Sequence, residues 1–476
     1  MSMEGECAIG VIIIFRVIRL LMAFGGISLT LQLAAPQSLD GVWRSRGYGY
    51  VFSIQGAVLT EFEVTSSTCV QGFTARRKPV QGGEWADAFR SKDEGTFFVR
   101  TGGTKNHRSL HQEDSVPDIQ VDRVPALPAV CDPPIGNTPM ANFDVFTRTW
   151  AKNYISFELR RVNWDKVVAE YRSQVTAQTT PAQLFEIFES MIKPLGDLHS
   201  YIGAPALKRS TPNFWRTGTD RIINKSVDHF ADHGRWTLFA MTNRAYLQSS
   251  PRLFCRRHLQ YGHIDGTTGY LRILSFGGYS RHNDLRALES ALDKIFSDRQ
   301  LRALVIDVRL CFGGSDELGL AIAGRLATRE YVAYSVQARS DPLKRDQWTA
   351  AQPIVIRPST RPGFRGPVVE LIGPITMSAA ETFSEVLMGR TPHVTRIGEN
   401  TQGVFCDILD RHLPNGWTFG LPNAVYRIAE GEAFDVKGIP PDLEAPVFAD
   451  ADVAEGKDPA MAEAIRILSS RNVALP

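Results

Sequence analysis

The stretch GPITMSAAE at residues 373–381 decides how this chain is interpreted. It follows an apolar run at residues 368–372 that predicts a buried strand, and it opens a helical pattern that continues to about Met388. Ser378 therefore stands at a strand-to-helix turn, where free N–H groups and the helix dipole can stabilise an oxyanion. Two interpretations are open. Ser378 is either a nucleophile or, with Glu381, an S-x-x-E capping box that merely begins a helix.

Length and composition indicate an ordinary globular protein of several domains. The chain has 476 residues, of which 43% are hydrophobic and 22% are charged, and its formal net charge is +2. A chain of this length is expected to form roughly two to four domains. Since the charge is nearly balanced and no dense basic stripe is interleaved with aromatic residues, nucleic acid is not an expected partner.

The N-terminus is unusually apolar. Two apolar runs, residues 8–15 and 20–33, are separated by Arg16 and Arg19 and are followed by small residues. This pattern predicts a signal peptide cleaved near Ala35, and hence export to the periplasm or the extracellular space. The alternative is an uncleaved anchor, because the whole span is long enough to cross a bilayer. Membrane contact is expected only through this segment, and only if it is not cleaved.

Cysteine spacing excludes the common cysteine motifs. None of the six cysteines stands in a C-x-x-C pair, so neither a zinc knuckle nor a thioredoxin motif is supported. Cys69 and Cys131 bracket the first predicted domain and are candidates for a disulfide, although spacing alone does not establish pairing.

The pattern of elements divides the rest of the chain into four parts. Alternating residues around a Gln55-Gly56 turn predict a hairpin and a small β domain at 37–125. A Pro-rich linker (126–140), a helical region with a polar insertion (141–262) and an α/β domain (263–476) follow. The alternation of strands and helices after residue 268 predicts an α/β multidomain protein with a partly parallel sheet.

A pair of glycines follows the predicted strand at residues 303–308. Gly313 and Gly314 permit positive φ angles and a close approach of backbones. Their N–H groups either point at a reacting carbonyl oxygen or belong to an ordinary strand-to-helix turn.

Four motifs in order resemble the tail-specific, carboxyl-terminal-processing serine protease family. They are DVRLCFGG (307–314), TMSAAE (376–381), GENTQG (398–403) and GIPPD (438–442). The resemblance extends over roughly residues 140–200 and 269–447, and it implies a crotonase-like catalytic α/β domain. It also implies that Ser378 is the nucleophile, that Gly313 or Gly314 and Ala379 form the oxyanion hole, and that no metal or organic cofactor is needed.

One departure from the family pattern concerns the catalytic base. Bacterial tail-specific proteases use the lysine of G-E-x-T-x-G-K-G, and Val404 stands at that position here. The chain resembles the tricorn-like branch better, in which a histidine in a D-x-H-(S/T) setting is the base. Residues 197–200 (DLHS) match that setting, so the resemblance implies His199 as the base.

A histidine base needs a partner that holds its tautomer. By resemblance to tricorn-like enzymes the partner is Asp435, where the family more often has a glutamate. Glu399 is the rival, unless it only stabilises a turn, and Ser200 is placed to bridge.

The sequence thus predicts an exported serine peptidase that acts on peptides or proteins. Two alternatives remain at this stage. The same domain occurs in interphotoreceptor retinoid-binding proteins, which carry apolar ligands, and a degenerate homologue would act through protein contacts alone. Neither the oligomeric state nor the peptide preference can be predicted from the sequence.

Overall fold

A computed structural model describes residues 38–80, 82–214, 219, 234–340 and 346–472. Residues 40–476 form one compact unit, and the other unit is residues 1–39. The predicted signal peptide or anchor at residues 1–36 lies outside the described residues. Among the helices that are described, none has both the length and the hydrophobicity needed to cross a membrane.

The first part of the chain closes into an eight-stranded antiparallel barrel. The barrel closes where β1 pairs with β8, with Trp43 opposite Arg123. The predicted hairpin is present as β2 and β3, joined at the Gln55-Gly56 turn. The strands are β1 (Gly41–Ser45), β2 (Tyr50–Gln55), β3 (Val58–Val64), β4 (Cys69–Lys78), β5 (Trp85–Ser91), β6 (Thr96–Arg100), β7 (His107–Gln112) and β8 (Asp118–Val124).

A disulfide joins Cys69, at the start of β4, to Cys131, in the turn that follows the barrel. The pairing that spacing alone left open is therefore present. Among the described residues, Cys255, Cys311 and Cys406 are not in a disulfide.

Three helices pack against one another through aromatic side chains. They are α1 (Pro139–Asn153), α2 (Trp164–Arg172) and α3 (Pro181–Ile192). Thr180 begins α3 with a capping box, followed by proline at the first helical position. Phe146 lies at the centre and contacts rings from all three helices, including that of Phe188 at 4.2 Å.

The region between α3 and the α/β domain contains short elements. They are β9 (Tyr201–Ala204), β10 (Arg209–Ser210), α4 (Gly234–Tyr246), β11 (Arg252–Phe254) and β12 (Leu259–His263). Strand β12 crosses the predicted domain boundary at residue 262. It pairs antiparallel with the next strand, β13 (Thr268–Ile273), and so belongs to the sheet of the α/β domain.

The main sheet has seven strands in the order β11-β12-β13-β14-β17-β18-β22, and it is parallel from β13 onward. Smaller sheets have the orders β10-β9-β20-β19 and β16-β15-β21. The predicted α/β multidomain class is confirmed.

The remaining strands are β13 (Thr268–Ile273), β14 (Ala303–Asp307), β15 (Tyr331–Ala338), β16 (Gln352–Ile356), β17 (Val368–Ile372), β18 (Thr395–Gly398), β19 (Ile408–His412), β20 (Thr418–Pro422), β21 (Ala424–Ile428) and β22 (Leu443–Glu444). The remaining helices are α5 (Asp284–Phe296), α6 (Asp316–Leu326), α7 (Ala379–Met388), α8 (Asp450–Ala454) and α9 (Pro459–Asn472).

Two neighbouring parallel strands, β14 and β17, deliver the motif turns to one edge of the sheet. Because Asp307 pairs with Leu371, the chain leaves both strands at the same level. A buried ion network fixes this edge. Arg309 is fully buried and binds Asp307 at 2.8 Å and Asp458 at 2.7 Å, which ties the turn after β14 to the start of α9.

Candidate active site

Ser378 sits in a strained turn between β17 and α7. Its φ is 55° and its ψ is −128°, a conformation that side-chain-bearing residues rarely adopt. The buried Thr376 hydroxyl helps to hold the turn, because it accepts from Gly373 N–H at 3.0 Å and donates to Val308 C=O at 2.9 Å. The serine itself is half-buried, and the strain presents its side chain at the end of the sheet.

Gly313 lies directly against the serine. A Cβ at this position, where φ is +85°, would come within 2.6 Å of Ser378 Cβ and 3.0 Å of Ala379 N. The Gly313 carbonyl accepts from Phe276 N–H at 2.7 Å. Within the described residues, neither Gly313 N–H nor Ala379 N–H has a hydrogen-bond acceptor. Two amides beside a strained serine are the donors that an oxyanion requires.

Gly314 has different surroundings. It is exposed, and a Cβ there would lie 2.2 Å from Phe276 O. Ser315 N–H donates to the same oxygen at 2.7 Å. A glycine is therefore needed at 314 to let the chain pass the end of β13.

Glu381 organises the serine turn in a way that sequence reasoning missed. Its buried carboxylate accepts from the N–H groups of Gly403 at 2.6 Å, Val404 at 2.8 Å and Ser378 at 3.3 Å, and from the Thr401 hydroxyl. Burial raises the pKa of Glu381 to about 7, against the opposing effect of these donors. The S-x-x-E spacing pointed to this residue only as a helix cap. Its further partners come from a segment some twenty positions along the chain, which no local pattern indicates.

His199 is buried and lies next to the segment that contacts the serine turn. Its neighbour Leu198 shares a hydrophobic cluster with Met377 and Val404, which flank the serine turn and the segment packed on it. The imidazole faces the backbone of Cys406, and its Nδ1 has no hydrogen-bond partner among the described residues. Burial lowers the pKa of His199 below its ordinary value, while the charge of Asp197 opposes the change. The imidazole is thus neutral at pH 7, the form that can accept a proton.

Asp197 anchors the segment that carries His199. One carboxylate oxygen accepts from the His199 backbone N–H at 3.0 Å. The other accepts from the Tyr154 hydroxyl at 2.7 Å and lies 3.2 Å from the Arg160 guanidinium. The position of the histidine is therefore set by the end of α1 and by the loop that follows it.

Asp435 and Ser200, which were predicted to assist the base, each have a buried side-chain oxygen. Asp435 Oδ2 and Ser200 Oγ are both buried and have no hydrogen-bond partner among the described residues. Burial, reinforced by the charges of Glu381 and Asp197, raises the pKa of Asp435 to about 7. Val436, the next residue, has a φ of 68°, which is strained for a β-branched side chain, and its N–H donates to Gly403 C=O at 2.9 Å. Asp435 is thereby brought close to the segment that contacts the serine turn.

Glu399 is held in another place. Its carboxylate accepts from Val447 N–H at 2.9 Å, and its own N–H donates to Ile372 C=O at 3.4 Å. These contacts fasten the chain beyond β22 to the end of β18, which matches the turn-stabilising interpretation. In the part of the chain that the structure describes, no group of three histidine, cysteine or carboxylate side chains is arranged to hold a metal ion.

Two regions of the chain match models of known protein families. Residues 267–445 match the model of peptidase family S41, and residues 137–193 match the tricorn protease C1 domain. Curated proteins yield no match.

Among solved structures, a putative peptidase from Parabacteroides merdae has 22% sequence identity and a TM-score of 0.58, over 70% of this chain and 97% of that chain. A photosystem II D1 C-terminal processing protease has 16% identity and a TM-score of 0.42, over 68% and 98% of the two chains. Tricorn protease has 14% identity and a TM-score of 0.42, over 89% and 45%. Of these three, the first shares the fold.

In its fold and in two matched regions, the chain is similar to serine-type peptidases. More particularly, the predicted resemblance to the tail-specific protease family, in its tricorn-like branch, is confirmed by the two matched models.

Proposed function

We propose that this protein is an exported serine peptidase that cleaves peptide bonds through an acyl-enzyme on Ser378, with His199 as general base. The observation that carries the proposal is a strained serine beside two amides, Gly313 N–H and Ala379 N–H, that have no acceptor among the described residues. The apolar-ligand and degenerate alternatives are not favoured by the peptidase family matches.

The proposed reaction has two halves. In the first, His199 takes the proton from Ser378 Oγ as the oxygen attacks the substrate carbonyl carbon. The N–H groups of Gly313 and Ala379 bind the oxyanion, and His199 returns the proton to the leaving amine as the C–N bond breaks. In the second half, water attacks the ester, gives its proton to His199, and Ser378 Oγ leaves with that proton.

A histidine base is supported by what surrounds the position of the family lysine. Val404 is buried and belongs to an apolar cluster with Met377. His199 has a lowered pKa and is neutral at pH 7. Of the candidate partners, Asp435 is favoured over Glu399. Within the described residues Asp435 Oδ2 has no hydrogen-bond partner, whereas the Glu399 carboxylate accepts from Val447 N–H.

Export is supported by two features. The apolar N-terminus has the layout of a signal peptide, and the Cys69–Cys131 disulfide is typical of oxidising compartments. N-terminal sequencing of the secreted protein tests this point, and a product that retains Met1 would contradict cleavage.

The mechanism is tested by labelling the purified protein with a fluorophosphonate, which reacts with activated serines. Wild type should be labelled, Ser378→Ala should not, and His199→Ala should react at least about a hundredfold more slowly. Ser173→Ala, which alters an exposed serine at the end of α2, is the matched control and should react like wild type. Folded wild-type protein that fails to react would contradict the proposal.

A further inference from the structure

One continuous segment, residues 401–412, connects the candidate active site to the N-terminal barrel. We call it the strap. The barrel, residues 41–124, lies outside the two regions that match family models. Its contacts with the strap therefore indicate what it adds to the peptidase fold.

The first half of the strap forms part of the active site. Gly403 and Val404 donate their N–H groups to Glu381, and Val404 C=O accepts from Ser378 N–H at 3.0 Å. Two residues further on, the backbone of Cys406 faces the His199 ring. A displacement of the strap would therefore move Val404, which binds the serine backbone, and Cys406, which contacts the histidine ring.

The second half of the strap is bound by the barrel. The Glu63 carboxylate, on β3, accepts from His412 N–H at 2.9 Å and contacts His412 Nδ1 at 2.6 Å. On the turn between β7 and β8, Ser115 donates to the Asp407 carboxylate at 3.1 Å. The barrel thus binds the second half of the strap at both ends, at Asp407 and at His412.

Arg411 makes the deepest of these contacts. It is 2% exposed, lies over the Tyr50 ring at 4.3 Å, and donates to Tyr48 C=O. The carboxyl groups of Glu63 and Glu61 both interact with its guanidinium, although burial raises the pKa of Glu61 well above its ordinary value. Removal of one partner from such a buried charged group is costly, because the remaining charge loses its compensation.

We propose that the barrel is a working part of the active site, in which Glu63 and Arg411 are positioning residues that hold the strap against Ser378 and His199. This inference rests on the proposed peptidase function. The barrel is proposed to act on the active site indirectly, through the strap. Its side chains bind β19, and β19 sets the position of residues 403–406.

The test compares Glu63→Gln with Glu84→Gln. The second change removes an ion pair on the surface of the barrel, between Glu84 and Arg100. Glu63→Gln keeps the shape of the side chain but removes the charge that faces Arg411 and His412. We expect kcat for a peptide substrate to fall roughly tenfold with KM nearly unchanged, since small displacements of reacting groups are costly. Glu84→Gln should match wild type.

A pH profile separates positioning from a loss of stability. His199 faces Asp197, Arg160 and the Cys406 backbone. A loosened strap admits water to the ring, which relieves burial and raises the pKa of His199 toward its ordinary value. The acid limb of kcat/KM should therefore move to higher pH in Glu63→Gln. Ser115→Ala, a milder change at the other end of that half, should shift the limb in the same direction while the protein stays folded.

The two proposals fail in different ways. If wild type is active and Glu63→Gln has the kcat and pH profile of Glu84→Gln, with only its melting temperature lowered, the barrel merely stabilises the fold and the inference is overturned. If folded wild type neither cleaves peptides nor reacts with a fluorophosphonate, the proposed function is overturned and this inference with it.

Discussion

The serine side and the base side of the candidate site are built in different ways. The serine side consists of two turns that follow neighbouring parallel strands, with Gly313 packed on Ser378. The base side brings together three distant segments that carry His199, Cys406 and Asp435. Ser378 and Gly313 each lie a few residues beyond a strand end, and the Glu381 carboxylate adds bonds from the serine turn to Gly403 and Val404. The base side depends on side chains whose buried atoms lack partners within the described structure.

The comparison predicts that the serine side tolerates no added volume. Gly313→Ala would place a methyl group 2.6 Å from Ser378 Cβ at a positive φ. We expect kcat to fall by about 10²–10³-fold, the usual cost of losing one oxyanion donor. Gly136→Ala is the control, because a Cβ there meets nothing within 4 Å. Equal kcat values for the two variants would show that Gly313 does not form the oxyanion hole.

Glu381 offers a second way to test the serine side. In Glu381→Gln an amide NH₂ group must face backbone N–H donors from Gly403, Val404 or Ser378. Such a mismatch should cost about 1–3 kcal/mol of unfolding free energy. Fluorophosphonate labelling should slow as the turn relaxes. Chemical denaturation and labelling rates measure the two effects. A helix cap alone would lower stability and leave the labelling rate as it is.

On the base side, the two candidate acids can be separated. At a pH above about 7, the raised pKa of Asp435, we expect Asp435→Asn to lower kcat about tenfold, because the carboxylate that would fix the imidazole is lost. Glu399→Gln retains an oxygen that can accept from Val447 N–H, so its kcat should stay near that of wild type. Steady-state kinetics on one peptide decides between them. The reverse order of effects would make Glu399 the partner of His199.

The sequence predicted the parts of the fold that depend on local patterns and missed those that depend on contacts between distant segments. Strand β17 and helix α7 lie where the apolar run and the helical pattern of residues 368–388 predicted them. Local periodicity and a turn motif are sufficient for such elements. Barrel closure, the antiparallel edge at β12 and the contacts of Glu381 with residues 401–404 were not predicted. Each depends on pairing between distant segments, which one sequence without known contacts does not specify.

The smallest expected effect concerns pH and the groups around His199. Because burial lowers the pKa of His199 below its ordinary value of 6.5, the base stays neutral through pH 7 and loses activity only on further acidification. Asp197 raises that pKa and Arg160 lowers it. Asp197→Asn should therefore move the acid limb of kcat/KM to lower pH, and Arg160→Gln should move it to higher pH, each by a fraction of a pH unit. Both changes break the same buried ion pair, so both lower stability, and only the opposite directions of the pH shift identify His199 as the titrating group. Shifts in the same direction, or none, would mean that another group controls the acid limb, and Asp435, whose pKa is raised to about 7, would then be the first to examine.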